Sequence, residues 1–185
     1  SGDFYGTEQA VTIGAAGSAV IEFVDLNGRP TVLKADIPLS AGEIIDCAAM
    51  DIRELRTFYA EEMDKAKADG VLLSLHVKTT MMRVSDPMIF GHCVSVFYED
   101  VFKKHPAEMD EIMVNPDNGI AELYTKLQDL TEEKRAEIEA DIQEVYKVRP
   151  ELMMVDSSRG ITNLHVPSDV IIDATMPVMV RDGGK

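Results

Sequence analysis

The apolar and polar positions near the N-terminus predict an antiparallel hairpin. Residues 10–13 and 18–24 are rich in β-branched and aromatic side chains, a composition typical of strands. The sequence over residues 25–28 then contains an Asn-Gly pair, which is a strong signal for a hairpin turn. A returning strand is predicted over residues 30–34. The chain therefore begins, on this pattern, with a β element.

Helical periodicity begins after the hairpin. Asp51 is predicted to cap a helix and Glu54 to complete a capping box, and Asp69-Gly70 ends the pattern. The apolar stripe of this helix has the spacing of one buried face and consists of Ile52, Leu55, Tyr59, Met63 and Ala66.

Three further helices are predicted along the chain. Asp86 is the expected cap of the second helix, with Pro87 at its first position. The third covers residues 120–127, and the fourth follows a cap at Thr131.

Short, continuously apolar segments alternate with these helices. Residues 71–77, 152–155 and 170–172 are predicted strands, and strands without a polar face belong to sheets covered on both sides. The predicted fold is α/β, with a parallel-containing sheet covered by helices and an N-terminal antiparallel hairpin element. Residues 1–185 are expected to form a single domain.

The charge balance limits the classes of partner. The chain has 185 residues, with 18 Lys and Arg against 33 Asp and Glu, and a formal net charge of −15. Such a surface repels nucleic acid and anionic membranes, so neither is expected as a partner. Cys47 and Cys93 are too few for a disulfide framework and are predicted to be buried free thiols of a cytoplasmic protein.

Two predicted strands end on a single charged residue. Lys78 follows the strand over residues 71–77, and Asp173 follows the strand over residues 170–172. Ligands of α/β folds bind beyond the carboxyl ends of strands, where a lysine can move a proton and an aspartate can hold a divalent cation. Strand ends are also often charged because they meet water, and the two residues could simply pair. The spacing alone favours that structural interpretation.

The other candidate ligands lack the spacing of a metal site. His76, His92 and His165 are interpreted as interior or loop histidines, and Cys93 makes no zinc signature with its neighbour. The polar loop over residues 159–163 could contact a substrate. No phosphate-binding or dinucleotide-binding motif of the usual kind is present in the sequence.

Longer stretches carry a family resemblance. The segments FYAEEMDKAKADGVLLSLH, LHVKTTMMRVSDPMIFGHCVSVFYEDVFKKH, NPDNGIAELY, KVRPELMMVDS and GITNLHVPSDVIIDATMPVMVR resemble the monomeric-type NADP-dependent isocitrate dehydrogenases. The resemblance implies hydride transfer from isocitrate to NADP, with loss of carbon dioxide to give 2-oxoglutarate, assisted by Mg or Mn. Lys78 matches the family's proton-transfer lysine and Asp173 matches a metal-binding aspartate. Thr79 and Arg83 depart from the family pattern without affecting either role.

The resemblance also implies that the chain is an internal segment of a longer enzyme's large domain. Ser1-Gly2 resembles the scar of tag removal, and the NADP-binding residues lie outside the matched span. Such a segment is expected to be inactive alone and to self-associate through apolar surface. Two alternatives stay open: a stand-alone, non-catalytic binding or assembly domain with the same fold, and a metal-dependent enzyme completed by self-association.

Overall fold

The protein has a mixed architecture of helices and small antiparallel sheets. A computed structural model describes residues 2–167. Its chain divides into two compact units, the first over residues 1–54 and the second beginning at Leu55. The predicted mixture of helices and strands is confirmed.

The first unit is built from two antiparallel strand pairs. Helix α1, Phe4–Thr7, leads into β1, Gln9–Thr12, which pairs with β4, Ile44–Cys47. Strand β2, Gly17–Val24, pairs with β3, Pro30–Leu39. The predicted hairpin is therefore confirmed, whereas strand β4 was not predicted.

The hairpin turn is fixed by one carboxylate. Asp25 Oδ1 accepts hydrogen bonds from the backbone N–H groups of Asn27, at 2.8 Å, and Arg29, at 2.9 Å. Gly28 has φ +76°, a conformation that L side chains rarely adopt. Large apolar side chains remain exposed on β2 and β3: Val20, Ile21, Phe23, Val24, Val32 and Leu33.

Helix α2, Ile52–Asp69, has the predicted bounds and its predicted cap. Asp51 Oδ1 accepts from the backbone N–H groups of Arg53 and Glu54. The reciprocal half of the predicted capping box was wrong, because the Asp51 N–H donates to the Gly2 carbonyl at 2.7 Å. Three residues of the predicted stripe are buried: Leu55, Tyr59 and Met63.

The second unit contains a cluster of helices. They are α3, Ser85–Phe97; α4, Glu99–Lys104; α5, Pro106–Glu111; α6, Ile120–Lys126; and α7, Glu132–Val148. Short 3₁₀ segments, Pro116–Asn118 and Leu127–Asp129, flank α6. Their fully buried side chains include Phe90, Phe97, Tyr98, Ile120, Leu123, Leu127, Ile138 and Ile142. The predicted third and fourth helices are confirmed, and Thr131 accepts from the Lys134 N–H as predicted.

The apolar segment after α2 differs from its prediction. The prediction of a continuous buried strand over residues 71–77 was wrong, because Val71 and Leu72 are 54% and 55% exposed. Among residues 2–167, the strand-like pairing of this segment is one isolated parallel bridge, from Leu73 to Leu152. The named sheets within residues 2–167 are all antiparallel, including β5, Met154–Asp156, with β6, Ile161–Thr162. The predicted strand over residues 170–172 lies outside the described residues.

The two cysteines differ in exposure. Cys93 is buried as predicted, but the prediction was wrong for Cys47, which is exposed on β4; among the described residues, β4 pairs only with β1. Across residues 2–167, no helix has the length and apolar character needed to cross a membrane.

Candidate functional site

Lys78 lies on the surface, at the start of a turn that leads into α3. Its backbone carbonyl accepts hydrogen bonds from the N–H groups of Met81, at 3.0 Å, and Met82, at 2.7 Å. The residue is exposed. Within the described part of the chain, its ammonium group makes no hydrogen bond or ion pair. Lys78 therefore has a fixed backbone and a side chain that can reach outward.

Asp86 holds the backbone of Lys78 instead of capping α3. Its Oδ2 accepts from the Lys78 N–H at 2.7 Å, and its Oδ1 accepts from the Ser85 hydroxyl at 3.0 Å. Helix α3 begins at Ser85 after Val84, which provides no side-chain cap. The predicted cap at Asp86 was wrong because its carboxylate bonds to a residue eight positions earlier.

The chain on both sides of Lys78 is attached to residues 163–167. The side-chain amide of Asn163 donates to the Leu75 carbonyl at 2.9 Å. The Thr79 hydroxyl donates to the Pro167 carbonyl at 2.9 Å. Pro167 is the last described residue, and Asp173 lies outside the described residues. The pairing of Lys78 with Asp173 at one site therefore stays a prediction.

The histidines flagged in the sequence have local protein partners. His76 Nε2 lies 2.8 Å from the Ser74 hydroxyl. His165 Nδ1 accepts from the Thr162 N–H at 2.9 Å, and its ring stacks on Tyr124. Burial is the main cause that lowers the pKa of His92. These contacts agree with interior and loop histidines.

A further polar cluster joins α4 to α7, and its spacing in sequence gave no signal. Buried His105 places Nε2 2.6 Å from Asp141 Oδ2. Lys104 Nζ lies 2.8 Å from the same carboxylate and 4.0 Å from Glu137. His105, Glu137 and Asp141 have ligand atoms close enough for one cation. The Lys104 ammonium pairs with Asp141, and the Lys134 ammonium lies 3.3 Å from Glu137, so we interpret the cluster as an ion-pair network.

A cleft of about 810 Å³ lies where α7 meets the β5–β6 hairpin. Aromatic and polar side chains line part of it, among them Tyr124, Tyr146, Arg159 and His165. Lys78 is not among its lining residues. The predicted polar loop over residues 159–163 thus contributes to this cleft through Arg159, Gly160 and Thr162.

Comparison with known proteins gives the family. The profile described as monomeric isocitrate dehydrogenase matches residues 1–185. Isocitrate dehydrogenase (NADP) of Azotobacter vinelandii is 55% identical over 185 residues, which are 100% of this chain and 25% of that protein. Isocitrate dehydrogenase (NADP) 2 of Colwellia maris is 56% identical over 184 residues, with the same coverage, and its Mycobacterium tuberculosis counterpart is 47% identical over 184. The chain thus spans about a quarter of the length of these curated relatives, 25% in each case. Because the family profile covers the whole chain, this chain belongs to the monomeric isocitrate dehydrogenase family.

Proposed function

We propose that this chain is a segment of an NADP-dependent isocitrate dehydrogenase, which oxidises isocitrate and releases carbon dioxide to give 2-oxoglutarate. The match over the whole chain to relatives that carry this name supports the assignment. The chain spans 25% of the length of the first of those relatives, and the proposal places the NADP site and most of the substrate site in other parts of the polypeptide.

Within this activity, Lys78 is the proton-transfer residue. Oxidation of a secondary alcohol requires a proton to leave the hydroxyl oxygen as hydride leaves the carbon. A positioned side chain that moves such a proton contributes about 10²–10⁴-fold to rate. The support from this chain is the placement of Lys78, which is exposed and whose backbone N–H is held by Asp86.

Asp173 is the proposed ligand of a divalent cation, Mg or Mn. A carboxylate oxygen is the hard donor that both ions prefer, so the residue type fits the ion. The bound cation supplies Lewis-acid polarisation of the substrate oxygens. One carboxylate fills only part of the coordination sphere, so we expect the isolated chain to bind the ion weakly and to lack turnover.

We further propose that the segment around Leu73 and residues 170–172 join one parallel sheet in the intact enzyme. The Leu73 N–H donates to the Glu151 carbonyl at 2.8 Å, and the Leu73 carbonyl accepts from the Met153 N–H at 2.9 Å. Bonding to the residues on both sides of Leu152 is the pattern of a parallel ladder. Parallel strands end at one edge of a sheet, which supports a common site for Lys78 and Asp173.

A chimeric enzyme tests the proposed function. The matching quarter of the Azotobacter vinelandii enzyme is replaced by this chain, and NADPH formation from isocitrate is followed by absorbance. We expect activity that needs Mg or Mn and is lost in Lys78→Met by about 10²–10⁴-fold in kcat. Asp173→Asn should raise the concentration of cation needed for half-maximal rate.

Lys103→Met is the matched control, because Lys103 is an exposed lysine paired with Glu99 on α4. It should leave kcat unchanged. A folded chimera in which Lys78→Met keeps the parental kcat would refute the assignment of the proton-transfer residue. A folded chimera without any isocitrate oxidation would refute the proposed function of the chain.

A further inference from the structure

We propose that Asp86 and Asn163 are positioning residues that fix the backbone of Lys78 from two sides. The inference rests on the function proposed for Lys78 and adds two residues to it. Neither side chain needs to contact substrate. Each acts through a hydrogen bond to the main chain of residues 75–78.

The first attachment comes from α3. The Asp86 carboxylate accepts from the Lys78 N–H at 2.7 Å, and the Asp86 N–H donates to the Met82 carbonyl at 3.1 Å. Because the Lys78 carbonyl is also bonded within the turn, both backbone polar groups of Lys78 are held. A bond from a backbone N–H to an ionised carboxylate is stronger than one between neutral groups. The Cα of Lys78 is thereby fixed to the first turn of a helix.

The second attachment comes from a buried amide. Asn163 is 1% exposed, and its Nδ2 donates to the Leu75 carbonyl at 2.9 Å and faces the Ser74 hydroxyl at 3.4 Å. The backbone N–H of Asn163 donates to the Met153 carbonyl at 2.9 Å. The opposite amide orientation would place Oδ1 against the Leu75 carbonyl oxygen, so the donor orientation is set by its partner.

The side-chain oxygen of Asn163 indicates that the Nδ2 donor is the group that makes the stabilising contact. Asn163 Oδ1 is buried and has no hydrogen-bond partner within residues 2–167. An unsatisfied buried acceptor is unfavourable, and an apolar side chain of similar size would avoid it. An asparagine at this position is therefore best explained by its bond to the Leu75 carbonyl, three residues before Lys78.

The two attachments come from separate parts of the second unit. Asp86 belongs to α3, while Asn163 follows β6 and immediately precedes Leu164, whose carbonyl accepts from the first N–H of α6. The Lys78 segment is thus connected to α3 through Asp86 and to the start of α6 through residues 163–164. Proton transfer depends on near-contact geometry, and a misplacement of about 1 Å can lower a rate about 10²-fold. A long, flexible lysine side chain needs a fixed origin to meet that requirement.

A double-mutant cycle on kcat tests the proposal in the full-length enzyme or the chimera. Asp86→Ala removes the acceptor, and Asn163→Leu removes the donor while keeping side-chain volume. Each is expected to lower kcat about 10-fold or more, with little change in KM for isocitrate, because positioning of the reacting group is lost. Asp86→Asn keeps an acceptor oxygen and should retain most of the kcat.

The background of Lys78→Ala separates positioning from general damage. There, Asp86→Ala and Asn163→Leu should cause no further loss of residual kcat, since they act only through Lys78. Hydrogen exchange of the peptide covering residues 75–82 should be faster in each single variant. Asp100→Ala is the matched control, because Asp100 is an exposed acidic residue in the first turn of α4. It should change neither kcat nor the hydrogen-exchange rate of residues 75–82.

Three results would overturn the proposal: unchanged kcat in folded Asp86→Ala, no recovery by Asp86→Asn, or a full further loss of kcat in the Lys78→Ala background. If Asn163→Leu does not fold, the Asp86 cycle alone decides. If Lys78→Ala itself keeps full kcat, the proposed role of Lys78 fails. A different result is possible, in which Lys78→Ala is inactive but Asp86→Ala keeps its kcat. That result refutes only the positioning role and leaves the role of Lys78 intact.

Discussion

Replacement of Gly119 by alanine should destabilise the second unit more than any ordinary glycine substitution. Gly119 has φ +84° and ψ 173°, a region almost restricted to glycine. An added Cβ would lie 2.6 Å from the His165 carbonyl carbon and 3.0 Å from the Leu164 oxygen. The same two carbonyls accept from the N–H groups of Ile120 and Ala121, at 3.0 and 3.1 Å, so they cannot retreat without breaking those bonds.

The expected loss follows from two unfavourable terms and one favourable term. Backbone strain at such a position costs about 1–3 kcal/mol. Overpacking against atoms that cannot move adds about 1–3 kcal/mol. The reduced freedom of the unfolded chain returns about 0.4–1 kcal/mol. We therefore expect Gly119→Ala to lower the free energy of unfolding by about 3 kcal/mol.

Urea denaturation followed by circular dichroism measures this loss. Gly160→Ala is the matched control in the same unit, because Gly160 has φ +70° but no atom within 4 Å of an added Cβ. Gly160→Ala should lower the free energy of unfolding only by the cost of backbone strain, about 1 kcal/mol. If Gly119→Ala is no less stable than Gly160→Ala, the close backbone contact with residues 164–165 is refuted.

Three other substitutions or reactions test separate features. Gly91→Ala should cost about 1–3 kcal/mol in thermal melts, because its Cβ would lie 2.8 Å from the Cα and N of Asp117; restoration of stability by Asp117→Ala would contradict a backbone clash. A thiol reagent should label exposed Cys47 in the native protein and Cys93 only after unfolding, because burial raises the pKa of the Cys93 thiol to about 12; equal native labelling rates would refute this. Asp141→Asn should be less stable by about 1–2 kcal/mol at neutral pH. Its lysine and histidine partners hold the carboxyl pKa below the ordinary 3.8, so the difference should shrink as pH falls below that value, and a pH-independent difference would contradict the ion pairs.

Elements with local signals could be predicted from the sequence. Helix α2 was bounded by an Asp51 cap and Gly70, and its buried face followed from spacing alone. The β2–β3 hairpin followed from its Asn-Gly turn, and α7 followed from its Thr131 cap. In each case, the residues that determine the element lie within or beside it.

Elements that depend on partners distant in the sequence could not be predicted. The apolar run over residues 71–77 predicts burial, but apolar composition does not say which strand covers it, and the observed partner is near Leu152. Asp86 has the composition of a cap, yet its carboxylate binds the Lys78 N–H. Lys78 was identified from its place after the apolar run and from a family resemblance. Asn163 had no local signal because its partner, Leu75, is 88 residues away.

That separation has a consequence for the order in which the protein assembles. Closing a loop of about 80–90 residues carries a large entropic penalty before any contact forms, so the bonds from residues 73–79 to residues 151–167 are expected to form after the helices. None of residues 73–79 is fully buried, and segments with few buried contacts are among the first to open. The Lys78 segment should therefore detach in brief local openings while α3 and α7 stay folded, so that on mild heating catalytic competence is lost before helical signal.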